Sequence, residues 1–290
     1  MNAFEALGRG LGFVEGPVWT GRSLVITSIT QGVLYELGLD GSAPQVYATP
    51  GGGPNGLAQS ADGTVWAAQG GGGHFDMEYV SKRPPGLLRI PAGGSVEYVV
   101  EQAVTAPSDC AFGADGRLYF TDAPHTFDAR DPGQVVAYDP GSGAAVKLTT
   151  DEHYPEGFYP NGIAFGPDAG LLYVADTMNR RVLQYDVVEG ALSAPRLFSP
   201  CRGFPDGLAV DVDGNVYVAL LTKDVIAIHA PSGELLDRIE VPGSGPTNVC
   251  FAGAGLETMV VTASKMECVL VASAPARGLP LHSPQVPVKG

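Results

Sequence analysis

Pro160-Asn161-Gly162-Ile163-Ala164-Phe165, then Pro167-Asp168-Ala169-Gly170, then Leu171-Leu172-Tyr173-Val174-Ala175: an apolar run, a turn, and a second run of strong β-formers. The pattern predicts two short strands joined by a hairpin. Val182-Leu183-Gln184-Tyr185-Asp186 alternates apolar and polar as a third strand, and Glu189-Gly190 turns the chain toward a fourth around residues 195–198. The opening of this unit recurs along the chain. Val14-Glu15-Gly16-Pro17-Val18-Trp19, Pro54-Asn55-Gly56-Leu57-Ala58 and Pro107-Ser108-Asp109-Cys110-Ala111-Phe112 precede it. Pro205-Asp206-Gly207-Leu208-Ala209-Val210 and Pro246-Thr247-Asn248-Val249-Cys250-Phe251 follow it. Starting from Glu15, equivalent positions lie 40, 53, 53, 45 and 41 residues apart, a period that marks a repeat architecture.

Four-stranded units at this spacing, with no amphipathic helix between them, predict an all-β fold: a six-bladed β-propeller with four antiparallel strands per blade. No Trp-Asp dipeptide occurs, which disfavours the WD40 version. No linker stands out, so residues 1–290 are expected to form a single propeller domain. The segment before Phe13 is expected to supply the outer strand of the last blade and so close the ring. Asp-Gly at residues 62–63, 115–116 and 213–214 is read as the first hairpin turn of its blade, both residues tolerating positive φ.

The formal charge of -14, with only 17 Lys and Arg, argues against nucleic acid as a partner, which requires a basic face. No apolar stretch reaches about 18 residues, so no membrane span is expected. The N-terminus lacks a basic segment followed by an apolar one, so no signal peptide is expected either. Cys110, Cys201, Cys250 and Cys268 have neither metal-type nor redox-type spacing. They read as reduced structural thiols, and the expected location is cytoplasmic.

In a propeller the first strand of each blade lies innermost, so the residue at its start faces the central channel at one end. The aligned residues are Glu15, Asn55, Ser108, Asn161, Asp206 and Thr247, and each carries a side-chain oxygen. Asn-Gly and Asp-Gly are ordinary turn formers, but six aligned oxygen donors exceed what turns require. Glu15 and Asp206, with Asp109 nearby, crowd negative charge into a narrow channel. Two carboxylates about 5 Å apart repel by roughly 3 kcal/mol at an effective dielectric near 20. A cation reverses that sign. Carboxylates, amides and a hydroxyl, without axial His or thiolate, suit Ca²⁺ first, with Mg²⁺ or Mn²⁺ as alternatives and Zn²⁺ less natural. Glu15, Asn161 and Asp206 are therefore candidate metal ligands, with blade three contributing Ser108, Asp109 or both.

These openings, from Phe13-Val14-Glu15-Gly16-Pro17-Val18-Trp19 to Pro246-Thr247-Asn248-Val249, resemble the SMP-30/gluconolactonase/LRE family over residues 13–274. Ser108-Asp109-Cys110-Ala111-Phe112 also resembles the diisopropyl fluorophosphatase branch. The resemblance implies a six-bladed propeller with an axial divalent ion, acting as a lactone or organophosphate hydrolase. It implies that Glu15, Asn161 and Asp206 bind metal, with Asp206 also the candidate base or nucleophile. Two departures matter. Ser108-Asp109 stands where the commonest pattern has Asn-Asp, and Ala106 stands where sugar lactonases typically carry an arginine for sugar hydroxyls.

A cation with an open position polarises a carbonyl and lowers the pKa of bound water. Lactone or ester hydrolysis needs both oxyanion stabilisation and a base, for which Asp206 is the catalytic candidate; direct attack by its carboxylate is the rival use. The walls are expected from loops on the metal face. Residues 70–85 bring His74, Phe75, Met77 and Tyr79, and residues 124–132 bring His125, Phe127, Asp128 and Arg130. Residues 153–159 bring His153 and Tyr159, and Asp176 and Asn179 are candidates for the rim. Together with Asn55, residues His74, His125, Phe127, His153 and Tyr159 are the candidate substrate contacts. The expected substrate is a small, apolar or modestly polar lactone or ester. Phosphotriester hydrolysis is one alternative, and a ligand-binding propeller with a purely structural metal is another. A metal-free, strictosidine-synthase-like propeller is disfavoured by the acidic axial residues.

Overall fold

A computed structural model describes residues 3–72, 77–124, 132–168 and 170–286. Six antiparallel sheets succeed one another along the chain, each a meander whose first strand is innermost. The innermost strands are Val14–Trp19, Pro54–Gln59, Pro107–Phe112, Pro160–Phe165, Pro205–Val210 and Pro246–Ala252. They contact one another in ring order, the last against the first. Blade six takes its outer strand from the N-terminus: Glu5–Leu7 pairs with Cys268–Ser273. The ring is thus closed by a strand from the opposite end of the chain, as expected. Blade four carries an elaboration, a short hairpin in which Ala191–Leu192 pairs with the extended third strand Arg181–Val188. Its outer strand is Arg196–Pro200.

The core lies between blades, not within them. Six buried apolar clusters each join one blade to the next. The period-2 alternation of a strand explains this. In blade five, Val216, Val218 and Leu220 pack toward blade four, while Tyr217 and Ala219 pack toward blade six. Among the described residues the only helical pieces are two single 3-10 turns, and none is long and apolar enough to cross a membrane. All four cysteines are free thiols.

One local expectation is revised. At the Asp62-Gly63 turn only the glycine takes positive φ, at +83°. The aspartate instead acts through its side chain, accepting hydrogen bonds from Thr64 N at 3.0 Å and Ser60 Oγ at 2.7 Å. Asp is favoured there as an Asx-type acceptor rather than for left-handed backbone.

After blade six the chain does not leave the ring. Residues 277–284 cross the face opposite the strand starts: Val212 N donates to Arg277 O, Leu279 N to Val210 O, and Ala61 N to Pro284 O. This strap spans from blade five to blade two.

Candidate functional site

In every blade the ladder between the first and second strands shifts register near the strand start, after the first residue in blades two to six and after Glu15 in blade one. Pro54 pairs with Gln69 but Leu57 with Ala67, and the same shift follows Pro107, Pro160 and Pro205. A bulge re-aims a side chain out of the regular alternation. It does so here at the axial residue of blades two to six, and just beyond Glu15 in blade one.

Two layers of polar groups result. In the first, Asn55 Nδ2 donates to Ser108 Oγ at 3.3 Å, and Ser108 Oγ donates to Asn161 Oδ1 at 2.8 Å. Asn161 in turn hydrogen-bonds Asp206. Thr121 Oγ1 anchors the Asn161 backbone by donating to its carbonyl at 2.6 Å. Thr247 stands beside Glu15 and acts on its carboxyl, while its hydroxyl also donates to Val14 O and meets Thr262 Oγ1, each at 2.8 Å.

The second layer comes from the next residue of each strand. That slot holds Gly16, Gly56, Asp109, Gly162, Gly207 and Asn248. The glycines leave room for the two side chains: a Cβ on Gly56 would lie 1.9 Å from Asp109 Oδ1, and one on Gly207 would lie 2.1 Å from Asn248 Cγ. Asn248 Nδ2 donates to Glu15 Oε2 at 3.0 Å, and Gly16 N donates to the same oxygen at 2.7 Å. Asn248 is an axial residue that alignment at the first slot alone passes over; the Gly-to-polar alternation of the second slot is its signal. Ser108 and Asp109 divide between layers, the serine with the amides and the aspartate beneath them.

Burial pushes the Glu15 carboxyl up to about 7, against the pull of Gly16 N–H and the Asn248 and Thr247 side chains. Burial, then the Glu15 charge, pushes Asp109 up to about 8. Asp206 is raised by burial and by repulsion from both. Among the described residues no Lys or Arg is one of the groups acting on any of the three. Among the described residues no three His, Cys, Asp or Glu side chains form a ready metal cluster. The donor set instead mixes carboxylates with the Asn161 amide and the Ser108 hydroxyl. Buried carboxylates that repel one another, edged by neutral oxygens, fit a hard divalent cation, and no cationic side chain among the described residues stands in its place.

Above the first layer a cavity of about 40 Å³ is bounded by Asn55 and Ser108, with Ile29, Tyr79, Ala106 and Tyr159 as walls. Two aspartates hold these walls. Asp122 accepts from Ala106 N at 2.6 Å and Thr105 N at 2.8 Å. Asp176 accepts from Tyr159 N at 3.2 Å and is itself clamped by Asn179 at 2.9 Å and Arg181 at 2.8 Å. Asp176 and Asn179 are therefore props beneath the rim, with Asp176 fully buried. Burial and the nearby Asp206 charge push the Tyr159 hydroxyl up. His153 is exposed, edge-on to Tyr154, and does not line this cavity. His74, Phe75, His125, Phe127, Asp128 and Arg130 lie outside the described residues.

A six-bladed propeller whose axis gathers three carboxylates and their amide partners at one end is a narrow structural class. The chain belongs to the SMP-30/gluconolactonase/LRE-like family, whose pattern it matches over residues 13–265. It is 25% identical over 292 residues to a gluconolactonase of Zymomonas mobilis, covering 90% of this chain and 78% of that protein. A strictosidine synthase-like protein of Arabidopsis thaliana (strictosidine synthase-like 4) is 26% identical over 215 residues, 69% of this chain and 54% of that one. The solved structure of a gluconolactonase from Xanthomonas campestris superposes with a TM-score of 0.78 at 24% identity, covering 94% of this chain and 89% of that one. That likeness is one of fold.

Proposed function

We propose that residues 1–290 act as one propeller domain and hydrolyse small lactones or related carboxylic esters with the help of a divalent cation, Ca²⁺ first. The observation that carries this reading is the meeting of Glu15, Asp109 and Asp206 in a buried axial cluster on which, among the described residues, no basic side chain acts. Kinship with a gluconolactonase along 90% of the chain supports the reaction class. Kinship with a strictosidine synthase-like protein leaves the choice to the axis, and an acidic axis favours hydrolysis.

Glu15, Asn161 and Asp206 would hold the cation, with Ser108 in the same layer and Asp109 adding charge from beneath. Once bound, the cation supplies Lewis acidity for the carbonyl oxygen and acidifies water. Asp206 takes the proton from the attacking water as its oxygen adds to the carbonyl carbon. The ring C–O bond then breaks, and the proton passes to the leaving alkoxide to give a hydroxy acid. Asn55 and Tyr159 border the cavity over whose mouth the ring would sit, and Ala106 supplies no guanidinium for sugar hydroxyls at its own place in that wall. We read the preferred substrate as apolar or modestly polar.

Asp206→Asn tests the assignment. The expected outcome is a loss of roughly 10²–10⁴ in kcat for a γ- or δ-alkyl lactone, together with a weaker thermal response to Ca²⁺. Turnover at the wild-type rate would remove Asp206 from the chemistry. Parallel assays with a fluorophosphonate separate carbonyl from phosphoryl preference.

A further inference from the structure

The channel does not end at the acidic layers. Beneath Asp109 and Asn248 it opens into a cavity of about 310 Å³ that runs to the opposite face, where the strap crosses its mouth. Its size follows from the repeat. Three residues beyond each axial position stand Val18, Ala58, Ala111, Ala164, Ala209 and Cys250, all of which border the cavity. Six small or medium side chains at one level keep the axis open. One residue further on, Trp19, Phe112, Phe165 and Phe251 give it aromatic walls. Leu279 and His282 of the strap reach the cavity from below, with the His282 ring edge-on to Phe165 at 6.0 Å.

We infer that this lower cavity binds a neutral, mainly apolar small molecule carrying one hydroxyl, of the alkylphenol or aryl-alcohol class. Three observations select that chemistry. The volume lies at the lower end of the range for ligand pockets, roughly 300–1,000 Å³. An apolar cavity of about 150 Å³ already holds benzene, so this one admits a substituted ring. Among the described lining residues Asp109 is the only Asp, Glu, Lys or Arg, so no Lys or Arg of that lining stands ready to pair with an anion. Asp109 and Asn248 give the deep end its polarity, which suits a hydroxyl that both donates and accepts. The inference does not depend on the hydrolase reading, since the cavity lies on the far side of the acidic layers from the small upper cavity.

The chain's two tryptophans make the site readable: Trp19 lines the cavity, and Trp66 is buried in the cluster between blades two and three. The experiment is calorimetric titration of the cation-loaded protein with 4-ethylphenol, followed in parallel by tryptophan emission. Saturable binding with a change in emission is expected, and Trp19→Phe should abolish the emission change while the calorimetric isotherm remains. Ala111→Leu, which narrows the channel, should weaken binding at least about tenfold. 4-Ethylbenzoate, an anion on the same ring, should bind at least about tenfold more weakly than the phenol. No saturable binding, an emission change that survives Trp19→Phe, unchanged affinity in a folded Ala111→Leu protein, or benzoate binding as tightly as the phenol would each overturn the proposal. Because 4-ethylphenol is no ester, loss of lactone turnover in any variant is scored separately and bears only on the hydrolase reading.

Discussion

The two ends of the central channel are made by the same six strands and differ in almost everything else. At the strand starts, bulges turn Ser108, Asn161 and Asp206 toward the axis beside Glu15, and the side chains meet closely enough to hydrogen-bond across blades. Three residues further on, the same strands carry four alanines, and the axis stands open as an apolar cavity. A propeller repeat fixes backbone slots, not their chemistry. Each level of the channel is a ring of six independent choices, so polarity can reverse within a few residues without disturbing the core between the blades.

If that division holds, removing the divalent cation should act on the polar end alone. A cation present at about 100 times its Kd stabilises the fold by about 2.7 kcal/mol, roughly 4–5 °C in Tm for a protein of this size. Calorimetric scans with chelator and with Ca²⁺ should show a shift of that order. No shift with Ca²⁺, Mg²⁺ or Mn²⁺ would break the contrast by leaving the acidic layer without its counter-charge.

The second layer allows a sharper cut. Asn248→Leu removes a donor from the buried Glu15 carboxylate, a loss of about 1.5–3 kcal/mol for a hydrogen bond to a charged group. Asp109→Asn takes away a like charge close to Glu15 and Asp206. Denaturant titration of the cation-free proteins should therefore move in opposite directions, Asn248→Leu less stable than wild type and Asp109→Asn more stable. Two destabilised variants would mean that packing, not charge, governs this layer. On the cavity side of the first layer, Ala106→Arg should raise the ratio of gluconolactone to alkyl-lactone turnover about tenfold, as expected when a missing hydrogen-bonding partner for a substrate hydroxyl is supplied. An unchanged ratio would place the determinant of specificity elsewhere.

Much of the polar end was legible in the sequence because its signal is local. A Pro-Asn-Gly or Pro-Asp-Gly opening announces a strand start; three such openings, with three variants that keep an oxygen-bearing side chain at the aligned position, announce a ring. Asn248 was harder to see, since it matters only once the second slot is read as Gly, Gly, Asp, Gly, Gly, Asn across the blades. His153 misled in the opposite way: proximity in sequence to Tyr159 suggested the pocket, but a 3-10 turn at Asp151–His153 leaves the ring on the surface. The lower cavity was not legible at all. Its walls follow from small residues that read as ordinary strand interior, and its floor is a strap whose hydrogen bonds reach back more than 200 residues, from Ser283 to Gln59. No local pattern encodes a contact of that span.

The smallest expected effect uses pH to tell the axis from the blades. His229 is buried between blades four and five, hydrogen-bonded to Ser199 Oγ at 2.9 Å, and burial holds its pKa below the ordinary 6.5. Folded, it stays neutral where the unfolded chain takes up a proton, so its contribution is intact above about pH 6.5 and stability falls as pH drops below that value. The axial carboxylates have the opposite sign. Their raised pKa values mean that the cation-free fold keeps protons the unfolded chain has lost, so stability falls as pH rises from about 4.5 toward 7–8. Ca²⁺ should abolish the second slope and leave the first. His229→Gln should abolish the first and leave the second, which urea titrations across pH 4.5–8 will resolve. A single slope that responds to both treatments would mean that axis and blade are energetically one unit, and the channel's two chemistries would then not be independent of the scaffold that carries them.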